Sequence, residues 1–195
     1  MTATLPFGLS VCGIEELATH ATTEASHVLS ILDPDHPVPE AFGTWGEHDK
    51  VELRFHDDIE ELPGRIPPQS FHVERVLALG RDLMTEPASV RHLLVHCHAG
   101  ISRSTASMAL IIAQSLPTAG ADEVMAALLS IREKAWPNLR MLEMGDRMLD
   151  RGGALPAAAH RLYHVQLERR PELERFMNDL GRQREVEAGK AYAPA

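Results

Sequence analysis

Short apolar runs of strand length alternate along this chain with longer stretches in which apolar residues recur every three or four positions. Leu9 to Cys12 is the first run, ended by Gly13, and Val28 to Leu32 is the second, broken by Asp33-Pro34. Val51-Glu52-Leu53-Arg54-Phe55 alternates apolar and polar with the period of a strand, and His92 to Val95 reads as a short buried strand. Ile14 to Thr22 predicts a helical turn or two. Asp33 to Lys50, which carries Pro34, Pro37, Pro39, Gly43 and Gly46, predicts an irregular loop. Pro67-Pro68 precede a helix whose shared face holds Val73, Val76, Leu77, Gly80, Leu83 and Met84.

Beyond the fourth run the pattern is helical. Ser104 to Leu116 is nearly all apolar or small and predicts a helix buried on most sides. Asp122 is the expected N-cap of a helix carrying Val124, Leu128 and Ile131, which Trp136-Pro137-Asn138 breaks. Leu142, Gly145, Met148 and Leu149 mark the next helix, stopped by Gly152-Gly153. Pro156 to Arg169 and Pro171 to Glu187 predict two amphipathic helices. Strands alternating with helices predict an α/β fold: a central, mainly parallel, twisted sheet of four to five strands flanked by helices. The expected organisation is one domain over residues 8–153, a helical extension over 154–188 packed on it, and a frayed tail over 189–195.

Composition narrows the partners. With 44% hydrophobic and 24% charged residues the chain of 195 is an ordinary globular one. A net charge of −9 argues against nucleic acid and against an anionic membrane surface, so positive potential for an anionic ligand has to be local. No run of 18 apolar residues offers a membrane span, and Met1 to Leu9 lacks the pattern of a signal peptide. Two cysteines, Cys12 and Cys97, are too few for a disulfide framework and fit a reducing cytoplasm.

The chemistry concentrates in His96-Cys97-His98-Ala99-Gly100-Ile101-Ser102-Arg103-Ser104. A strand, a tight loop and a helix N-terminus form an anion cradle, in which successive N–H groups point inward and the helix dipole adds positive potential. A cysteine at the rim of such a cradle is favoured as the thiolate. Arg103 can grip two phosphate oxygens with its planar fork. Plainer readings weigh less. Cys97 as a mere buried hydrophobe leaves the spacing of Arg103 and Ser104 unexplained, whereas Cys12, with no polar companions, fits core packing. Zinc on His92, His96, Cys97 and His98 is disfavoured because adjacent strand residues point to opposite faces. His160 and His164, four apart, read as a solvated helix face. Asp57, Asp58, Glu60 and Glu61 are either a solvated turn or an acid loop at a strand end.

His-Cys-x5-Arg-Ser between a strand and a helix resembles the signature of the cysteine-dependent protein tyrosine phosphatases. The strand ending Leu53-Arg54-Phe55-His56-Asp57, the helix leading to the Cys-strand, and Arg132 with Pro137-Asn138 downstream resemble the compact dual-specificity branch. The resemblance spans residues from about 8 to 151. It implies that Cys97 is the nucleophile, forming a cysteinyl-phosphate, and that Arg103 with the backbone of His98, Ala99, Gly100, Ile101, Ser102 and Arg103 binds the phosphoryl oxygens. Ser104 would steady the thiolate, His96 would orient the loop and tune Cys97, and Asn138 would brace the loop. Asp57 would be the general acid, with Asp58 as the alternative. No cofactor or metal is implied. The stretch from Asp57 to Cys97 is longer than in compact members, and the extra length fits Leu62 to Pro68. The implied substrate is a phosphoprotein, with phosphate-, sulfate- or vanadate-like anions as ligands of the loop. A phosphoinositide or small phosphometabolite is the alternative, disfavoured by a loop without lysines, and a non-catalytic phosphate-binding module is the third reading.

Overall fold

The computed structural model describes residues 5–192. Among them, four strands form one parallel sheet in the order β1-β4-β2-β3: β1 (Gly8–Cys12), β2 (His27–Leu32), β3 (Asp49–Arg54) and β4 (His92–His96). The last strand in sequence is therefore central, pairing Val95 with Val11 on one side and Leu29 on the other. That position explains its composition: covered on both faces, Leu93, Leu94 and Val95 are fully buried and the run does not alternate.

Leu29, Ile31, Leu53, Phe55, Leu93 and Val95 face the larger core, shared with the long helices. Val28 and Leu94 face a smaller one with Cys12, Leu17 and Ala25. The smaller core is closed by 3-10 helices at Ile14–Thr23 and Glu40–Thr44, the latter inside the segment expected to be wholly irregular. The helices are α1 (Ser70–Thr85), α2 (Arg103–Ser115), α3 (Ala121–Ile131), α4 (Leu139–Met148), α5 (Ala154–Arg169), α6 (Glu172–Asp179) and α7 (Gln183–Ala191).

Several local expectations are corrected. The N-cap of α3 is Gly120, whose N–H donates to Glu123 Oε2 at 2.8 Å, and Asp122 sits within the first turn instead. Met84 and Met148 are exposed, while His72 and Leu79 in α1 and Met141 and Met144 in α4 take the buried positions. The single helix expected over Pro171 to Glu187 is two, separated at Gly181, where φ is +73°. The tail expected to fray from Gly189 is helical to Ala191. Gly189 lies against Tyr163, where an added Cβ would meet the tyrosine Cβ at 2.9 Å. Residues 193–195 lie outside the described ones.

Helices α5 to α7 join the larger core through Leu155, Leu162, Tyr163, Met177 and Val186. Tyr163 stacks on Trp136 at 4.6 Å between ring centroids, and its hydroxyl donates to the Pro137 carbonyl. The break at Trp136-Pro137-Asn138 is thereby locked against the extension. All four strands end at the same edge of the sheet. Cys97, Asp33 and the Phe55-His56-Asp57 segment emerge there together, where parallel α/β sheets place their ligands.

Candidate active site

The loop from Cys97 to Ser102 leaves the central strand and enters α2 at Arg103. Its carbonyls are bonded on the outer side. His98 O accepts from Ile14 N at 2.9 Å, Gly100 O from Arg132 Nε at 2.8 Å and Ala99 O from Arg132 Nη2 at 3.2 Å. Ile101 O accepts from Trp136 N at 2.8 Å and Ser102 O from Asn138 N at 3.3 Å. Turning the carbonyls out turns the amides in, which is how a backbone anion nest is made. The turn requires glycine at position 100: φ is +65°, and a Cβ would come within 2.3 Å of the Cys12 carbonyl carbon. Arg132 is itself fixed by a two-pronged pair with Glu16, at 3.0 and 2.6 Å. The Glu16 carboxyl falls to about 2, chiefly through that hydrogen bond, outweighing burial.

Cys97 is buried and its Sγ lies 3.1 Å from Ser104 Oγ, on the first turn of α2. Arg103 is 2% exposed, and its Nη1 donates to Asp33 Oδ1 at 2.7 Å and to the Phe55 carbonyl. Its Nε is buried with no hydrogen-bond partner. His96 faces away from this pocket and bonds Ser30 Oγ at 2.8 Å across the ladder; burial holds its ring neutral, with its pKa lowered to about 4. Cys12 lies fully buried behind the loop, and burial, with Glu16 adding to it, pushes its thiol up to about 12. Burial of this kind disfavours the thiolate.

The two aspartates are now separated. Asp57 Oδ1 accepts from Ser102 Oγ at 2.8 Å, Asn138 Nδ2 at 2.9 Å and Arg182 Nη1 at 2.9 Å. Its Oδ2 lies 4.0 Å from Arg103 Nε. Asp58 also borders the cavity and is buried, but it pairs elsewhere: its Oδ2 accepts from Arg65 Nε at 2.6 Å. Burial alone would raise the Asp57 carboxyl, but Arg182 and Arg103, helped by Asn138 and Ser102, bring it down to about 2. Asn138 reaches the loop that follows Cys97 through its backbone N–H, which donates to Ser102 O. Its side chain holds Asp57 instead and caps α4, accepting from Met141 N at 3.1 Å.

These groups line one cavity of about 260 Å³, with Cys97, His98, Ala99, Ile101, Ser102 and Arg103 from the loop, Asp57 and Asp58 from the acid segment, and Phe176, Met177, Leu180 and Arg182 from the extension. His98 accepts from Asp33 N at 3.1 Å, and burial, then Arg103, lowers its pKa. Asp33, Arg182 and Glu185 were missed from the sequence. Asp33 had a usable signal, since it follows a central strand at the ligand-binding edge. The other two had none, because, apart from each other, their partners lie far away in the chain.

No protein-family model and no curated protein matches this sequence. Solved structures do match. Human DUSP28 superposes with a TM-score of 0.56 at 13% identity, over 77% of this chain and 96% of that one. DUSP15 gives 0.55 at 18% identity, over 82% and 94%. The Yvh1 phosphatase domain of Chaetomium thermophilum gives 0.52 at 20% identity, over 80% and 96%. An α/β chain with an all-parallel sheet, a Cys-loop on its central strand and these structural neighbours has the fold of the cysteine-dependent, dual-specificity type of tyrosine phosphatase.

Proposed function

We propose that this protein hydrolyses phosphate monoesters through a covalent phosphocysteine at Cys97. The observation that carries the reading is the buried, unpartnered Nε of Arg103 in the same cavity as Cys97 and the open oxygen of Asp57. Leaving such a donor unsatisfied costs about 1–3 kcal/mol, and a phosphoryl oxygen removes that cost. The Cys97 thiolate attacks phosphorus as the bond to the leaving oxygen breaks. Water then displaces sulfur, while the Ser104 hydroxyl at 3.1 Å steadies the departing thiolate.

Asp57 is the proton donor to the leaving oxygen and then the acceptor from water. At rest it is a carboxylate, since its pKa lies near 2. A phosphoryl group settling on Arg103 brings negative charge beside Oδ2 and raises that carboxyl. The monoanionic ester, whose second ionisation is near pH ~6, can carry the proton in.

The cations of the cavity support a singly phosphorylated substrate. Arg103 pairs with Asp33 at 2.7 Å, Arg65 with Asp58 at 2.6 Å and Arg182 with Asp57 at 2.9 Å, so each guanidinium already faces a carboxylate. That balance suits one phosphoryl group, and the apolar wall of Phe176 and Leu180 suits a side chain beside it. We therefore favour a phosphoprotein, phosphotyrosine or dual-specificity, over a phosphoinositide, and place the reaction in the cytoplasm, where a nucleophilic thiol stays reduced.

The test is turnover of p-nitrophenyl phosphate, phosphotyrosine and phosphoserine peptides and phosphoinositide vesicles by the native protein and by Cys97→Ser. Phosphopeptide hydrolysis should vanish in the variant while tungstate still binds. Turnover by Cys97→Ser rejects the mechanism, faster hydrolysis of the vesicles rejects the substrate class, and anion binding by the native protein without any turnover makes it a phosphate-binding module.

A further inference from the structure

We infer that Arg182, at the turn between α6 and α7, is a positioning residue for Asp57, which makes the C-terminal helices a working part of the active site. This rests on the phosphatase reading above. Arg182 is 3% exposed and every nitrogen of its guanidinium is engaged. Nη1 donates to the backbone carbonyl of Asp57 at 2.8 Å and to its Oδ1 at 2.9 Å. Nη2 donates to Ser102 Oγ at 2.6 Å. One side chain thus holds the acid segment by backbone and carboxylate together, and ties it to the anion loop.

The other end of the fork is fixed just as firmly. Nε donates to Glu185 Oε2 at 2.9 Å. Glu185 is fully buried and accepts from Trp136 Nε1 at 2.7 Å and Leu139 N at 2.8 Å. A path of hydrogen bonds therefore runs from the start of α4 through Glu185 and Arg182 to Asp57. Stability alone is a weak reason for it, because apolar residues often replace a whole buried ion pair with little loss or a gain in stability. Its geometric effect is specific. Oδ1 is held from three sides, so Oδ2 is the oxygen left facing Arg103 Nε, where a bound ester would lie. Of those three donors only Arg182 comes from the extension. Without it the acid keeps two contacts, one of them from a serine that has itself lost a donor.

The experiment is a double-mutant cycle between Arg182→Met and Asp57→Asn in the full chain, read with phenyl phosphate, which needs a proton donor, and with 3,4-dinitrophenyl phosphate, which does not. If positioning is the role, Arg182→Met lowers kcat for phenyl phosphate by roughly 10- to 100-fold, a share of what general acid catalysis supplies. It changes the dinitrophenyl rate by less than about 3-fold, and adds nothing in the Asp57→Asn background. Arg182→Lys recovers part of the loss. Should Arg182→Met fold poorly by circular dichroism, Arg182→Met with Glu185→Gln removes both charges and carries the same cycle. Equal losses on both substrates, or the same loss with and without Asp57, overturn the inference and leave the phosphatase reading intact. A native protein inactive on both substrates, or one indifferent to Cys97→Ser, overturns both.

Discussion

The floor of the cavity, residues 97–103, is contiguous chain that presents backbone, whereas its acid wall is one carboxylate held by side chains from three distant places. The floor needs few particular side chains, because its carbonyls are anchored outward to Ile14, Arg132, Trp136 and Asn138. The wall depends on identities: Ser102, Asn138 and Arg182 each donate to the same oxygen of Asp57. Backbone-built sites break when the chain cannot take its path. Side-chain-built sites break when one donor is lost, and do so for particular substrates.

The largest effect should come from the floor. Gly100→Ala puts a Cβ 2.3 Å from the backbone of Cys12 at a φ of +65°, and backbone cannot yield as a flexible side chain can. The left-handed conformation adds about 1–2 kcal/mol, and displacing reacting groups by even 1 Å costs on the order of 100-fold in rate. We expect kcat/KM to fall at least that far on every phosphate ester, irrespective of leaving group, with tungstate affinity falling in parallel. Near-normal activity would mean that the loop tolerates a different path and that the floor is not set by its backbone.

The wall should give a selective loss, confined to esters whose leaving group needs a proton and so smaller across phosphate esters as a whole. Asp57→Ala is expected to lower kcat for phenyl phosphate by about 100-fold or more while sparing a dinitrophenyl ester. Asp58→Ala removes a carboxylate that faces Arg65, a half-exposed partner, and should leave both rates within a few fold. A leaving-group effect that follows Asp58 instead would exchange the two assignments and weaken the contrast between floor and wall.

The same contrast explains what could be read from the chain. The floor is local, so His96 to Ser104 displays cysteine, turn glycine and arginine within a few residues, and the non-alternating run of β4 marks its central place. The strand β3, which leads to Asp57 three residues past its end at Arg54, was legible through the alternation that buries Leu53 and Phe55. Arg182 and Glu185, by contrast, look like any i, i+3 ion pair on a charged helix. Their burial depends on the break at Gly181 and on a docking surface made by Trp136 and Tyr163, neither visible in local periodicity. Met84 and Met148 failed for a related reason: helical spacing marks a stripe, and tertiary contacts decide where the stripe ends.

The smallest effect is on stability, and pH can separate its sources. His96 and His72 are held neutral by burial, each with a folded pKa near 4 against an ordinary 6.5. Between those values the unfolded chain binds more protons, so their contribution is complete above about pH 6.5 and fades as pH falls toward 4. Asp57, in the wall, and Glu16, which braces Arg132 behind the floor, have folded values near 2 against 3.8 and 4.5. Their contribution is present above the unfolded values and is lost as pH falls through 2. The unfolding midpoint should therefore decline in two stages, first between about pH 6.5 and 4 and again between about pH 4 and 2. Asp57→Asn and Glu16→Gln should each flatten the second stage only, and measuring which flattens it more ranks the wall against the brace behind the floor. A second stage unchanged by either substitution would show that neither Arg182 nor Arg132 holds its carboxylate in the ionised form.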